Sequence, residues 1–137
     1  MKYRITAMMA AAAVAVGCSA SAAMAAGELN IFNWGNYTNP KLVEKFEKEF
    51  DVKVTVTDYD SNDTALAKIR AGGHGYDIVV PSGTYIPIWI AEGLLMETNP
   101  NGMENFKNVA EQWNNPVFDP GRKYTVPWQW GTVGITV

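Results

Sequence analysis

Thiols and imidazoles are almost absent from this chain, whose 137 residues include a single cysteine, Cys18, and a single histidine, His74. A disulfide framework and a zinc site built from Cys and His are therefore excluded. A basic surplus is missing too. Eleven Lys and Arg stand against 14 Asp and Glu, a formal charge of −3, and a protein that grips phosphates needs the opposite balance, so no nucleic-acid partner is expected. No apolar run reaches the roughly 20 residues of a transmembrane helix. What is present is an ordinary globular composition, 47% hydrophobic and 18% charged, in a length that allows one domain at most.

The longest apolar stretch lies at the N-terminus. Lys2 and Arg4 precede Ile5 to Val16, small residues follow from Gly17, and Ala23-Met24-Ala25 satisfies the A-x-A rule for signal peptidase. Residues 1–25 read as a secretory signal peptide with Ala26 as the mature N-terminus, placing the protein in the periplasm with no membrane insertion once the signal is removed. A competing reading takes Ala15-Val16-Gly17-Cys18 as a lipobox with Cys18 acylated, although Ala15 stands where Leu is usual. Once the signal is cleaved, the mature chain has no cysteine, which excludes thiol catalysis.

The mature chain, from residue 26, alternates strand and helix. Leu29–Phe32 reads as a strand, Asn33–Thr38 as a loop, and Asn39 caps a helix with Pro40 at its first position. Leu42, Val43, Phe46 and Phe50 give that helix an apolar face, and Lys41, Glu44, Lys45, Glu47, Lys48 and Glu49 a solvated one. Val52, Val54 and Val56 alternate as a second strand. Ser61 or Asn62 caps a second helix carrying Ala65, Leu66 and Ile69, stopped at Gly72-Gly73. Asp77–Pro81 is a third strand whose unbroken apolar run predicts burial on both faces. A third helix follows Ser82-Gly83-Thr84 and ends at Gly93. The order predicts an α/β fold with a mostly parallel sheet flanked by helices. Residues 98–122 are loop-rich, with a short helix within Met103–Trp113. Tyr124–Pro127 and Gly131–Val137 read as strands, the last broken off in mid-alternation, so residues 26–137 are expected to be the N-terminal part of a first lobe in a longer protein.

Ligands of open parallel sheets lie beyond the carboxyl ends of the strands. Two loops meet that condition, Trp34-Gly35-Asn36-Tyr37 and Ser82-Gly83-Thr84-Tyr85. Each glycine lets the backbone approach a ligand closely. Trp34, Tyr37 and Tyr85 offer flat faces that attract ammonium groups. Ser82 and Thr84 offer hydroxyls at a helix start, where N–H groups suit an anion. Other readings fail: Asp58 to Asp63 lacks the Gly and Glu of a calcium loop, His74 reads as turn surface, and no base is assignable to Ser82 as a hydrolase nucleophile.

Four ordered segments, Phe32-Asn33-Trp34-Gly35-Asn36-Tyr37, Tyr59-Asp60-Ser61-Asn62-Asp63, Tyr76-Asp77-Ile78-Val79-Val80-Pro81-Ser82 and Tyr124-Thr125-Val126-Pro127 with Trp130-Gly131-Thr132, resemble periplasmic spermidine/putrescine-binding proteins, the substrate-binding components of ABC importers. The resemblance implies two α/β lobes, of which the second is missing here, and a ligand in the cleft between them. It implies that Trp34 and Tyr37 line the methylene chain of a polyamine, that Ser82 contacts an amine and that Thr84 lines the site. It implies a monomer that uses no cofactor and meets an amine ligand and the permease subunits of its importer. Asn36 departs from the pattern, since the family often has an acid there, and Asp60 is the local carboxylate candidate. An amino-acid or opine binder is the alternative within the class, and a secreted hydrolase using Ser82 is a remoter one.

Overall fold

A computed structural model describes residues 27–132, 134 and 135; the expected signal segment and parts of the last expected strand lie outside them. Three parallel strands form one sheet in the order β2-β1-β3, with β1 at Gly27–Trp34, β2 at Val52–Tyr59 and β3 at Ile78–Val79. Leu29 pairs with Val54, Trp34 with Tyr59, and Phe32 with Val79. The α/β fold with a parallel sheet is thus borne out. β1 extends two residues past its expected end, because Asn33 and Trp34 continue the pairing against Asp58 and Tyr59.

Helix α1, Pro40–Phe50, begins as its sequence dictates: the Asn39 side chain accepts the N–H of Lys41 and Pro40 occupies the first turn. Its apolar face is not buried as a core. Leu42, Phe46 and Phe50 stay 64%, 40% and 54% exposed. The helix packs chiefly against β2, and Glu47 accepts the N–H of Val54 at 2.8 Å. That bond occupies part of an otherwise free strand edge, a common way to blunt edge-to-edge association. Glu47 is therefore half-buried and not part of a solvated face.

The core sits on the opposite face. Phe32 and Tyr59 meet Ala65, Leu66 and Ile69 of α2, Asn62–Arg70, and Trp89 of α3, Ile86–Ala91. Phe32 stacks on Tyr76 at 4.5 Å and meets Tyr59 edge-on at 4.8 Å, geometries favoured by the ring quadrupole. Ser61 caps α2 through Thr64, and Gly72, at φ +70, continues the chain beyond it in the left-handed region that glycine tolerates. Arg70 and Glu92 pair across the ends of α2 and α3. His74 is not plain surface: it is half-buried, its Nδ1 accepts the N–H of Tyr76, and its ring stacks on Tyr76.

Two strand expectations fail. β3 is not buried on both faces, for Ile78 is 40% exposed; the strand is two residues long and lies at the sheet edge. Tyr124–Pro127 is not a strand. Alternation alone cannot supply a neighbouring strand, and here the N–H groups of Lys123, Tyr124 and Thr125 all donate to the carboxylate of Asp119 instead. The short helix expected within Met103–Trp113 is two 3-10 turns, Glu104–Asn108 and Glu111–Trp113.

Candidate functional site

The carboxyl ends of all three strands converge on one carbonyl. Val80, just past β3, accepts the indole N–H of Trp34 at 2.9 Å and also the hydroxyl of Tyr59. Trp34 and Tyr59 are register partners at the ends of β1 and β2, with rings 4.8 Å apart. Burial, and secondarily the neighbouring Tyr37, push the Tyr59 hydroxyl well above the ordinary tyrosine value, so it remains a proton donor. The Trp34 ring is thereby held half-buried, with Tyr37 tilted beside it at 6.2 Å and 43% exposed.

Fully buried Asn33 folds this first loop. Its Oδ1 accepts the N–H of Trp34 and its Nδ2 donates to Thr38. Asn36 takes φ +63, a conformation asparagine accepts better than most residues. A neighbouring open depression of about 420 Å³ between α1 and β2 includes Asn36 and Asp58, but neither Trp34 nor Ser82; the strand-end geometry, not this depression, identifies the candidate site. Gly35 leaves ordinary room, since a methyl there would lie 3.9 Å from Asp58.

The second loop is braced by the first turn of α2. Ser82 donates its N–H to Oδ1 of Asn62 at 2.9 Å, and Nδ2 of Asn62 donates to the Ser82 hydroxyl at 3.0 Å. Tyr85 donates its hydroxyl to Asp63 at 2.9 Å. That bond, then burial and the charge of Asp63, raise the Tyr85 hydroxyl above its ordinary value. Thr84 is exposed. Ser82 precedes a 3-10 turn, Gly83–Tyr85, and its side chain makes no capping bond. The six-residue α3 starts only at Ile86, so the expected anion-accepting helix start is not formed at Ser82. The neighbour of the Ser82 hydroxyl is an amide, which cannot act as a general base.

Gly83 is needed for a reason the sequence does not reveal. A methyl there would lie 2.6 Å from Cε1 of Phe118, so the open face of this glycine meets an aromatic ring and not a ligand. Gly83→Ala should destabilise the fold by about 1–3 kcal/mol through overpacking, read as a lowered urea midpoint; an unchanged midpoint would mean that the Phe118 ring swings aside freely.

Of the candidates, Trp34 and Tyr37 are brought into one aromatic wall. Ser82, Thr84 and Tyr85 lie on the segment that starts at the carbonyl binding Trp34. Asn36 stands off that wall, on the α1 side. Asn33, Tyr59, Asn62 and Asp63 were missed as contributors. The Ser61 cap signal marked where α2 starts, but nothing local ties Asn62 and Asp63 to a loop about 20 residues on. Asp63 also places a carboxylate in contact with the second loop, which itself carries none.

The family of bacterial extracellular solute-binding proteins matches residues 34–137. The spermidine/putrescine-binding periplasmic protein of Salmonella typhimurium is 38% identical over 131 residues, covering 95% of this chain and 38% of that protein. The putrescine-binding periplasmic protein SpuD of Pseudomonas aeruginosa is 38% identical over 109 residues, 78% of this chain and 30% of its own length. Among solved structures, the spermidine/putrescine ABC transporter substrate-binding protein PotD of Streptococcus pneumoniae superposes with a TM-score of 0.69 at 35% identity, over 74% of this chain and 31% of that one. The Tp0655 (TpPotD) lipoprotein of Treponema pallidum gives 0.68 at 36%, over 73% and 32%. The chain thus spans less than two-fifths of the length of these relatives. Matched over residues 34–137, with a parallel sheet flanked by helices, the chain belongs to the bacterial extracellular solute-binding protein family.

Proposed function

We propose that this chain forms part of a periplasmic solute-binding protein that captures a polyamine, putrescine or spermidine, and delivers it to the permease subunits of an ABC importer. The observation that carries the reading is the Trp34–Tyr37 wall held at the strand ends beside a loop in contact with the carboxylate of Asp63. A polyamine is a methylene chain between ammonium groups, so it needs an apolar wall together with cation–π faces or carboxylates. The named ligands of the relatives support the same class. The protein acts by capture as a monomer, two lobes closing by hinge motion. Its export signal ends at Ala25, which the intact mass of the exported protein checks; an acylated Cys18 would make it a lipoprotein.

Calorimetry of the full-length protein with putrescine, spermidine, spermine and an amino acid tests the reading. The amines should bind and the amino acid should not. Asp63→Asn, which removes the carboxylate in contact with the second loop, should weaken diamine binding and should spare a carboxylate ligand. Amino-acid binding that exceeds amine binding, with the reverse response to Asp63→Asn, would replace this reading with the amino-acid one.

A further inference from the structure

We infer that Asn62 is a positioning residue for the ligand site, acting through Ser82. The inference rests on the amine-capture reading and names a further part of the same site. Its basis is a two-point hold. The Ser82 main-chain N–H can only donate, so the Asn62 atom that it meets at 2.9 Å is the carbonyl oxygen, and the orientation of the amide is settled. The amide nitrogen then faces the Ser82 hydroxyl at 3.0 Å and must donate to it. Ser82 is therefore fixed in both main chain and side chain. Its oxygen keeps one lone pair for a ligand ammonium, and its own proton is not consumed by Asn62.

The hold also has a rigid base. Asn62 opens α2, whose Ala65, Leu66 and Ile69 are buried in the core. Ser82 itself is exposed and makes no bond as a helix cap. Ser82 follows Val80, whose carbonyl holds Trp34, so the two ends of the site are referred to one frame. A side chain on a loop is placed closely only when such supporting bonds fix it.

The test uses the full-length protein. Asn62→Ala should speed hydrogen exchange at the Ser82 amide and weaken diamine binding about tenfold, the change expected from one lost hydrogen bond. Asn62→Ala combined with Ser82→Ala should bind no more than about twofold weaker than Ser82→Ala alone, because the first residue acts through the second. Asn62→Asp keeps an acceptor for the Ser82 N–H and should restore the slow exchange. Unchanged exchange in Asn62→Ala, or additive losses in the double variant, would overturn the inference. A wild type that binds no diamine would overturn the amine reading alone, since the exchange measurement needs no ligand and still decides whether Asn62 holds Ser82.

Discussion

Trp34→Ala should weaken diamine capture by the full-length protein by roughly 2–4 kcal/mol, the range of buried aromatic anchors at interfaces. The ring provides apolar area for the methylene chain, and about 0.5–2 kcal/mol more where an ammonium sits over its face. Calorimetry reads the loss. Because Trp34 also packs on Tyr59 and donates to Val80, part of its effect falls on stability, and a second variant separates the two. Trp34→Phe keeps an aromatic face but loses the N–H donor. It should retain most of the affinity and lower the thermal midpoint. Full affinity in a folded Trp34→Ala protein would mean that the ring only packs the strand ends and that the ligand lies elsewhere.

Removing the Asp119 carboxylate should have the largest effect on stability, about 3–5 kcal/mol for Asp119→Ala in urea unfolding, because several part-buried donors lose their common acceptor and each one left unsatisfied costs about 1–3 kcal/mol. Asp119 and Arg122 are 1% and 2% exposed. The Asp119 carboxylate accepts the N–H groups of Lys123, Tyr124 and Thr125 and the Thr125 hydroxyl. Arg122 donates to the carbonyl of Trp113 and to Thr125, so it braces the same turn from the other side. A loss below about 1 kcal/mol would show that water enters and satisfies the freed N–H groups.

A pH dependence follows from the same cluster. Burial pushes the Asp119 carboxyl up, but the bonds from the Thr125 hydroxyl and the three main-chain N–H groups outweigh it and hold the group below its ordinary value. A group depressed in the folded state contributes stability above its unfolded value, near pH 4, and loses it as the pH falls toward its lower folded value. The wild type should therefore lose stability below about pH 4 more steeply than Asp119→Ala. Parallel acid limbs would remove Asp119 as the cause.

The elements legible in the sequence were those specified locally. Asn39 with Pro40, Ser61 before α2, and the Val52-Val54-Val56 alternation each carry their signal within one turn or one strand, and each formed where expected. The candidate loops were legible because parallel strands place the residues that follow them at one end of the sheet. Less was legible wherever a segment needed a distant neighbour. The spacing of Leu42, Phe46 and Phe50 specifies an apolar face but not whether anything covers it. The alternation at Tyr124–Pro127 specifies strand propensity, yet the carboxylate of Asp119 took the N–H groups that a ladder would have used.

By itself, the sequence determined the α/β class, the positions of the helix starts, and the aromatic and hydroxyl groups offered at the strand ends, since all of these follow from short-range geometry and side-chain chemistry. Only the tertiary structure decided how those groups are held. The bond from Trp34 to Val80 spans 46 residues, and the bonds from Asn62 to Ser82 and from Tyr85 to Asp63 span 20 and 22. It also decided that Gly83 faces the ring of Phe118. Contacts between residues so far apart depend on how α2 and β3 pack against β1, and packing of that kind leaves no periodic trace in the chain.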